Sequence, residues 1–524
     1  MKSTCLLFSS CHICSNFKFS KFSSMGALRK LASDTAIYGI STMLGRFLSY
    51  LLVALHTKLF LADQLAVQVQ LYAYAGISLV LYTFGMETAF FRYARKEEDR
   101  QQYYNLILSA VITVSFIGSG LMFVFAQSIA SYIQYPENAR LVQWFAIIMA
   151  TDAIVSIPFA RLRLEGKGKK FVMIRVLNIL ISIFLNLFFL IICKDIYEGK
   201  YLISLQPFIN LFYEVNRAPD LIILANLLAN LTFFWMLRKE LLDFKFQFNR
   251  ELFKPVWVYA FPIMIMNAAG VINMLYDRSV MQFLLPKNFY PGRTTKEAIG
   301  IYGQCYKLSI FMNLAIQAFK YAAEPFFFSK GEDKNAPEVF ARIMKYFIII
   351  CVMMWVAISV NVDLLAEIFL KRKIYHEGLS IVPWLLAGFL FLGIYYNLAT
   401  WFKLTDKTKY GTYLTITGAS VTILVSYILV PIVGYLGFAM AFASSGLVMM
   451  VICYLLGQKF YPVPYDISSA LGYIITGALV IVFSAQFKFD DLAVSVGVHT
   501  VLILVLLLLS YQVEKKSLPE KLKF

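Results

Sequence analysis

The sequence predicts an all-α protein that crosses a lipid bilayer about 14 times. Three observations carry this. The 524 residues are 60% hydrophobic and 15% charged, with a mean hydropathy of +0.68, far from the roughly one-half apolar and one-quarter charged make-up of soluble domains. Apolar runs of about 20 residues, the length a helix needs to span hydrocarbon, recur along nearly the whole chain. The connections between them are short and polar, so no soluble catalytic domain fits anywhere.

In chain order the segments are 35–56, 66–90, 105–127, 141–160, 171–193, 220–237, 256–277, 298–322, 343–360, 381–400, 411–431, 437–457, 468–486 and 493–511. The tenth ends in polar Asn397 and Thr400, and the split between the eleventh and twelfth rests on Pro431 and Gly434. The longest connection on the outer side is 194–219. Counting Lys and Arg in alternate connections from Met25 onward gives 29 on the N-terminal side against 13 on the other. Cytoplasmic loops retain basic residues, so both termini are expected in the cytoplasm. The same retention accounts for the net charge of +17 without a nucleic-acid partner.

The seven cysteines are scattered and imply no disulfide framework. Cys11, Cys14 and His12 resemble half of a zinc site, but a second ligand pair is missing, and no metal or cofactor is expected. The first 24 residues are rich in Ser, Phe and Cys and lack a signal-peptide pattern. Met25, followed by a short basic stretch into the first segment, reads as an alternative start.

A faint internal repeat sets Glu87-Thr-Ala-Phe-Phe-Arg92 at the end of the second segment against Glu324-Pro-Phe-Phe-Phe-Ser-Lys330 at the end of the eighth. Tyr38-Gly-Ile and Tyr259-Ala-Phe stand at a similar offset. Duplicated six-helix lobes would follow, facing the same way, with a substrate site at their interface. Chance similarity between two Phe-rich stretches is the alternative. The expected divisions are an N-terminal segment 1–34, lobes 35–240 and 250–460, two further helices over 466–511, and a basic tail 512–524.

An ionisable side chain in a helix centre costs about 2.5–3.5 kcal/mol on insertion scales and so points to an interior cavity. Arg46, Asp152 and Lys307 lie well inside their segments. Lys320 and Glu324 sit one turn apart near the end of the eighth, and Glu87 and Arg92 hold the matching end of the second, where a local ion pair or snorkelling would also serve. Asp277 and Arg278 are expected at the interface, where the seventh segment ends. Asn267 and Asn273 share that helix and either bond a neighbouring helix or face water. Arg46 and Lys307 in the two lobes would make a cationic cavity, suited to a diphosphate, with Lys320, Asn267 and Asn273 as further substrate contacts. A bland alternative pairs Arg46 with Asp152. Asp152, Glu324 and Glu87 would couple transport to H+ or Na+, or line a cavity for cationic drugs. No phosphate-cradling Gly-rich loop, nucleotide motif or HExxH occurs, and His376-Glu377 stands alone in an outer connection. The chain is expected to be a transporter and not an enzyme.

Five stretches resemble the polysaccharide biosynthesis membrane proteins. They are Tyr38-Gly-Ile-Ser-Thr-Met-Leu-Gly-Arg46, Gly85-Met-Glu-Thr-Ala-Phe-Phe-Arg92, Leu162-Arg-Leu-Glu-Gly-Lys167, Gly300-Ile-Tyr-Gly-Gln304 and Gln317-Ala-Phe-Lys-Tyr-Ala-Ala-Glu-Pro325. These are the Wzx-like flippases of the multidrug/oligosaccharidyl-lipid/polysaccharide exporter superfamily, and the resemblance covers roughly 30–460. It implies two six-helix lobes around a central cavity, two further C-terminal helices, alternating access, and an undecaprenyl-diphosphate-linked oligosaccharide as cargo at the bacterial inner membrane, for O-antigen or other surface polysaccharide. Members that export cationic drugs tend to carry carboxylates in the first lobe, where this chain has Arg46. The rival readings are a cation-coupled multidrug antiporter and a lipid II flippase of peptidoglycan synthesis.

Overall fold

A computed structural model describes residues 50, 52–330, 333, 335–405, 407–487 and 491–515. Among the described residues there are helices and connections but no β-strand. Most of the first segment, the N-terminal 34 residues and the last nine lie outside the described residues. What is described of α1 is Tyr50 and 52–59. The remaining long helices are α2 (Ala62–Tyr93), α3 (Glu97–Val124), α4 (Ala139–Leu164), α5 (Gly168–Tyr197), α6 (Asp220–Met236), α7 (Arg250–Leu284), α8 (Thr295–Lys330), α9 (Ala336–Val360), α10 (Ile381–Leu398), α11 (Lys409–Val433), α12 (Leu436–Phe460), α13 (Ile467–Ser484) and α14 (Leu492–Glu514). Eleven of the described helices are long and apolar enough to cross a membrane.

Local chemistry sets several of these boundaries. Asn249 caps α7, its side chain accepting from the backbone N–H groups of Glu251 (2.9 Å) and Leu252 (3.3 Å). Thr294 and Glu297 form a reciprocal capping box at the start of α8. Gly434, at φ +66°, ends α11 beside Pro431, where the sequence places the division. The seventh segment is longer than expected: α7 continues to Leu284, so Asp277 and Arg278 lie within it and not at its end. α8 falls outside the eleven because Gln304, Lys307, Asn313 and Gln317 interrupt its apolar run, a composition suited to facing water or polar groups inside the protein.

The helices pack as two lobes. α2, α3, α4, α5 and α6 form one, and α7 to α12 the other, with α13 and α14 laid against α9. Lys345 of α9 fixes the latter pair, bonding Asp466 ahead of α13 (3.2 Å) and Glu514 at the end of α14 (2.9 Å). α2 is the main bridge between lobes, packing on both α7 and α8. It is stitched to α7 by Tyr74 Oη donating to the Ser279 carbonyl (2.6 Å) and Tyr93 Oη to the Pro255 carbonyl (3.1 Å). Gly300 and Gly303 of α8 lie directly on the Ala62 backbone and on Val69 of α2, the small-residue contact by which membrane helices approach closely. α2 itself breaks at Phe84 and Gly85, both left-handed (φ +31° and +76°). Gly85 there abuts the Ala260 carbonyl of α7, and the last eight residues of α2, Met86–Tyr93, restart as a separate helical run.

At one end the lobes are joined by a polar seam. Thr57 Oγ1 donates to the Phe369 carbonyl (2.8 Å) and accepts from the Lys371 N–H (3.2 Å). Arg372 donates to the carbonyls of Lys58 (3.2 Å) and Leu59 (3.1 Å), and Tyr375 Oη to that of Phe60 (3.0 Å).

A side chain at Gly300 has no room against the α2 backbone. Gly300→Leu is expected to cost about 1–3 kcal/mol, read as a lower Tm of the purified protein. Gly120→Ala on α3, where an added Cβ meets nothing within 4 Å, should leave Tm unchanged or raised. Equal Tm values for wild type and Gly300→Leu would refute the close contact.

Candidate functional site: a cationic cavity between the lobes

Between the lobes lies a cavity of about 990 Å³, walled by α1, α2, α4, α5 and α6 on one side and by α7 and α8 on the other. Among the described residues, four cationic side chains line it, Arg163, Arg175, Arg278 and Lys307, against one carboxylate, Glu87. His56, Gln68, Asn186, Asn226, Gln304 and Asn313 add neutral polar groups, and Tyr50, Tyr72 and Tyr306 add ring faces.

Each cation is held by its own neighbours. Lys307, twelve residues into α8, donates from Nζ to Gln304 Oε1 one turn away (2.8 Å). Arg278 lies over the Tyr306 ring at 3.8 Å, pairs through Nε with Asp277 (3.0 Å) and donates to the Met274 carbonyl (2.5 Å). Asp277 is fixed in turn by Tyr302 Oη (2.6 Å). Arg175 stacks on Phe159 at 4.1 Å with Phe233 at 5.4 Å. Arg163 lies over Phe91 at 4.9 Å and pairs with Glu87. A ring face supports a guanidinium's charge without taking its N–H donors, so the lining stays cationic around Arg175, which forms no ion pair among the described residues. Across the cavity, His56 Nε2 and Asn186 Oδ1 join α1 to α5 (3.1 Å).

Of the residues singled out by sequence, Lys307 and Glu87 line this cavity. Arg46 lies outside the described residues, as does the side chain of Glu324. Asp152 is outside the lining and accepts from Asn230 Nδ2 of α6 (3.0 Å). Lys320 sits further along α8, its Nζ over the Tyr396 ring at 4.6 Å, beside a smaller pocket between α8, α9 and α10. Asn267 is exposed on α7, away from the cavity. Asn273 is buried and accepts from Thr422 and from Ser445 Oγ (2.9 Å), tying α7 to α11 and α12. Its amide serves helix packing. Arg278 is the clearest departure, since a residue expected at the interface lines the cavity. The mostly apolar stretch Val280–Leu285, interrupted by Gln282 and closed by Pro286, is the signal that would have extended α7 past it. Arg163 and Arg175 flank the basic connection 161–170, where cytoplasmic retention alone accounts for a cation. Outside the cavity, Glu377 is engaged with Arg293 (2.5 Å) and His376 with the Leu370 carbonyl (2.9 Å).

A family model described as polysaccharide biosynthesis protein matches residues 69–198, and one described as MatE matches 288–428. One falls in each lobe, around the two sides of the cavity. Both matches support the resemblance to the multidrug/oligosaccharidyl-lipid/polysaccharide exporter superfamily that the sequence stretches carry. Solved structures with the superfamily fold align over most of their length. A lipid II flippase MurJ in an inward closed conformation aligns with TM-score 0.67 at 16% identity, over 91% of this chain and 98% of that one. An inward-facing multidrug resistance MATE family transporter of the MOP superfamily gives 0.56 at 14% identity, over 87% and 96%. A MATE in the straight conformation gives 0.51 at 16%, over 83% and 95%. Curated protein sequences contain no match.

Removing one partner of a buried ion pair strands the other charge. Asp277→Ala is expected to destabilise by about 3–5 kcal/mol and Tyr302→Phe by about 1 kcal/mol, read as Tm in detergent. A Tm for Asp277→Ala no lower than that for Tyr302→Phe would contradict the assignment of Asp277 as the anchor of Arg278.

Proposed function

We propose that the protein is a flippase that carries an undecaprenyl-diphosphate-linked oligosaccharide across the bacterial inner membrane for surface polysaccharide synthesis, both termini lying in the cytoplasm. The observation that carries this is the sign of the cavity, whose described lining sets four cations against one carboxylate. A diphosphate is the part of such a cargo that most resists transfer through hydrocarbon, and guanidinium and ammonium groups in a desolvated cavity are its natural partners. Arg278 and Lys307 neutralise it, the amide and tyrosine side chains contact sugars, and the prenyl tail stays in lipid between the lobes. The volume, at the upper end of the range for ligand pockets, suits a headgroup of a few sugars. Rocking of the lobes, with breakage of the seam at Thr57, Arg372 and Tyr375, exposes the headgroup on the other side.

The match to MatE over 288–428 favours a second reading, an antiporter in which Asp152, Glu324 or Glu87 binds H+ or Na+. Lipid II as cargo rests on the same cationic cavity. A deletion strain separates these: accumulated lipid-linked surface saccharide supports the proposal, accumulated lipid II supports the peptidoglycan cargo, and drug sensitivity with neither supports the antiporter.

Hydrogen bonds to charged groups contribute about 1.5–3 kcal/mol. Lys307→Ala and Arg278→Ala should therefore each lower the rate at which lipid-linked saccharide becomes accessible outside by about tenfold or more, at matched protein level. Wild-type rates in both variants would end the proposal.

A further inference from the structure

We propose that the cavity contains a second anion site, separate from Arg278 and Lys307 and built from Arg163 and Arg175, and that Glu87 is its resident anion, displaced when a phosphate of the cargo arrives. This rests on the flippase reading and adds to it where the diphosphate first binds and what it must displace.

The two pairs of cations stand at different ends of the cavity. Every span reverses direction, so the connections α2–α3 and α4–α5 share one membrane face and α7–α8 lies on the other. Arg163 is the penultimate residue of α4, and Glu87 belongs to the terminal run of α2. Arg175 lies seven residues into α5, about 10 Å from that end at 1.5 Å per residue. Arg278 lies six residues before the opposite end of α7, about 9 Å in. One lobe thus supplies the cations of the first face and the other lobe those nearer the second.

The two ion pairs differ in how tightly they are held. The Asp277 and Arg278 side chains are 10% and 14% exposed, and Tyr302 locks the carboxylate. Glu87 and Arg163 are 41% and 32% exposed, and their partnership is wet and open to competition. Arg163 Nε is buried without a hydrogen-bond partner. Arg175 forms no ion pair among the described residues; it leans on Phe159, within electrostatic reach of Arg163, Glu87 and Asp152. A phosphate brings more charge and more acceptor oxygens than a carboxylate, and can bridge the two guanidinium groups where Glu87 engages one. The break at Phe84 and Gly85 sets Glu87 on a short run of its own, eight residues long, whose Met86, Ala89 and Phe90 are buried while the Glu87 side chain is 41% exposed, so the carboxylate can leave by rotation of its side chain alone.

The test uses the full-length protein in detergent and geranyl diphosphate as a sugar-free probe, with binding measured by calorimetry and folding checked by Tm. Arg163→Ala should weaken binding by about tenfold and Glu87→Gln tighten it by about tenfold, with Glu87→Ala as a second variant in the same direction. In the double variant Glu87→Gln with Arg163→Ala the gain should vanish, whereas in Glu87→Gln with Lys307→Ala it should persist. Glu87 variants that bind no tighter than wild type, or that tighten equally without Arg163, overturn the inference. Loss of binding in Lys307→Ala and Arg278→Ala with Arg163→Ala and Glu87→Gln unchanged overturns this inference alone. A probe that binds neither wild type nor any variant overturns the cationic-cavity reading with it.

Discussion

A guanidinium or ammonium group cannot face hydrocarbon without a penalty of several kcal/mol, and this one constraint decides which way the helices of the interface turn. α8 is the plainest case: Gln304, Lys307, Asn313 and Gln317 make it too polar to span lipid alone, so it stands with Gln304, Lys307 and Asn313 on the cavity and its small residues on α2. Arg278 obeys the same rule within α7, where Asp277, Tyr302 and the Tyr306 ring replace the water it gives up. The cavity is thus the place the charges require as well as a space left by imperfect packing.

Ring faces do much of that replacement. Arg163, Arg175 and Arg278 each lie over an aromatic side chain, and a cation on a ring is attracted most strongly where water is scarce. Arg278 and Arg163 also meet the carboxylates of Asp277 and Glu87, whereas Arg175 rests on rings without an ion pair among the described residues, so there stacking leaves the charge in place. The phenylalanines near the cavity therefore act on the chemistry of the site, although in composition they are indistinguishable from those that face lipid.

The number, type and order of the helices were largely legible because length and hydropathy report directly on a membrane span, and the close of α11 at Pro431 and Gly434 was readable from turn chemistry. Lys307 was legible as a charge with no helix end nearby. The other cavity cations were hidden by position. Arg163 and Arg175 flank a basic connection and blend with its cations, and Arg278 stands beside Asp277, a pair that resembles a helix terminus. Asn273 misled in the opposite sense, because an amide on an interfacial helix can serve Thr422 and Ser445 of adjoining helices as readily as a ligand. What a one-dimensional pattern lacks is the rotation of each helix about its axis, and the membrane supplies no alternation strong enough to give it.

The seam between Thr57 and Tyr375 has an asymmetry of its own. On the α1–α2 side, three of its acceptors are main-chain oxygens, of Lys58, Leu59 and Phe60; on the other, the donors are the side chains of Arg372 and Tyr375. A carbonyl is present whatever residue bears it, whereas a guanidinium or phenol is not. Mutational drift at 58–60 is thus nearly invisible to the lock, while the 369–375 connection must keep its chemistry, so apart from the Thr57 hydroxyl the burden of closing the protein falls on one lobe's vocabulary.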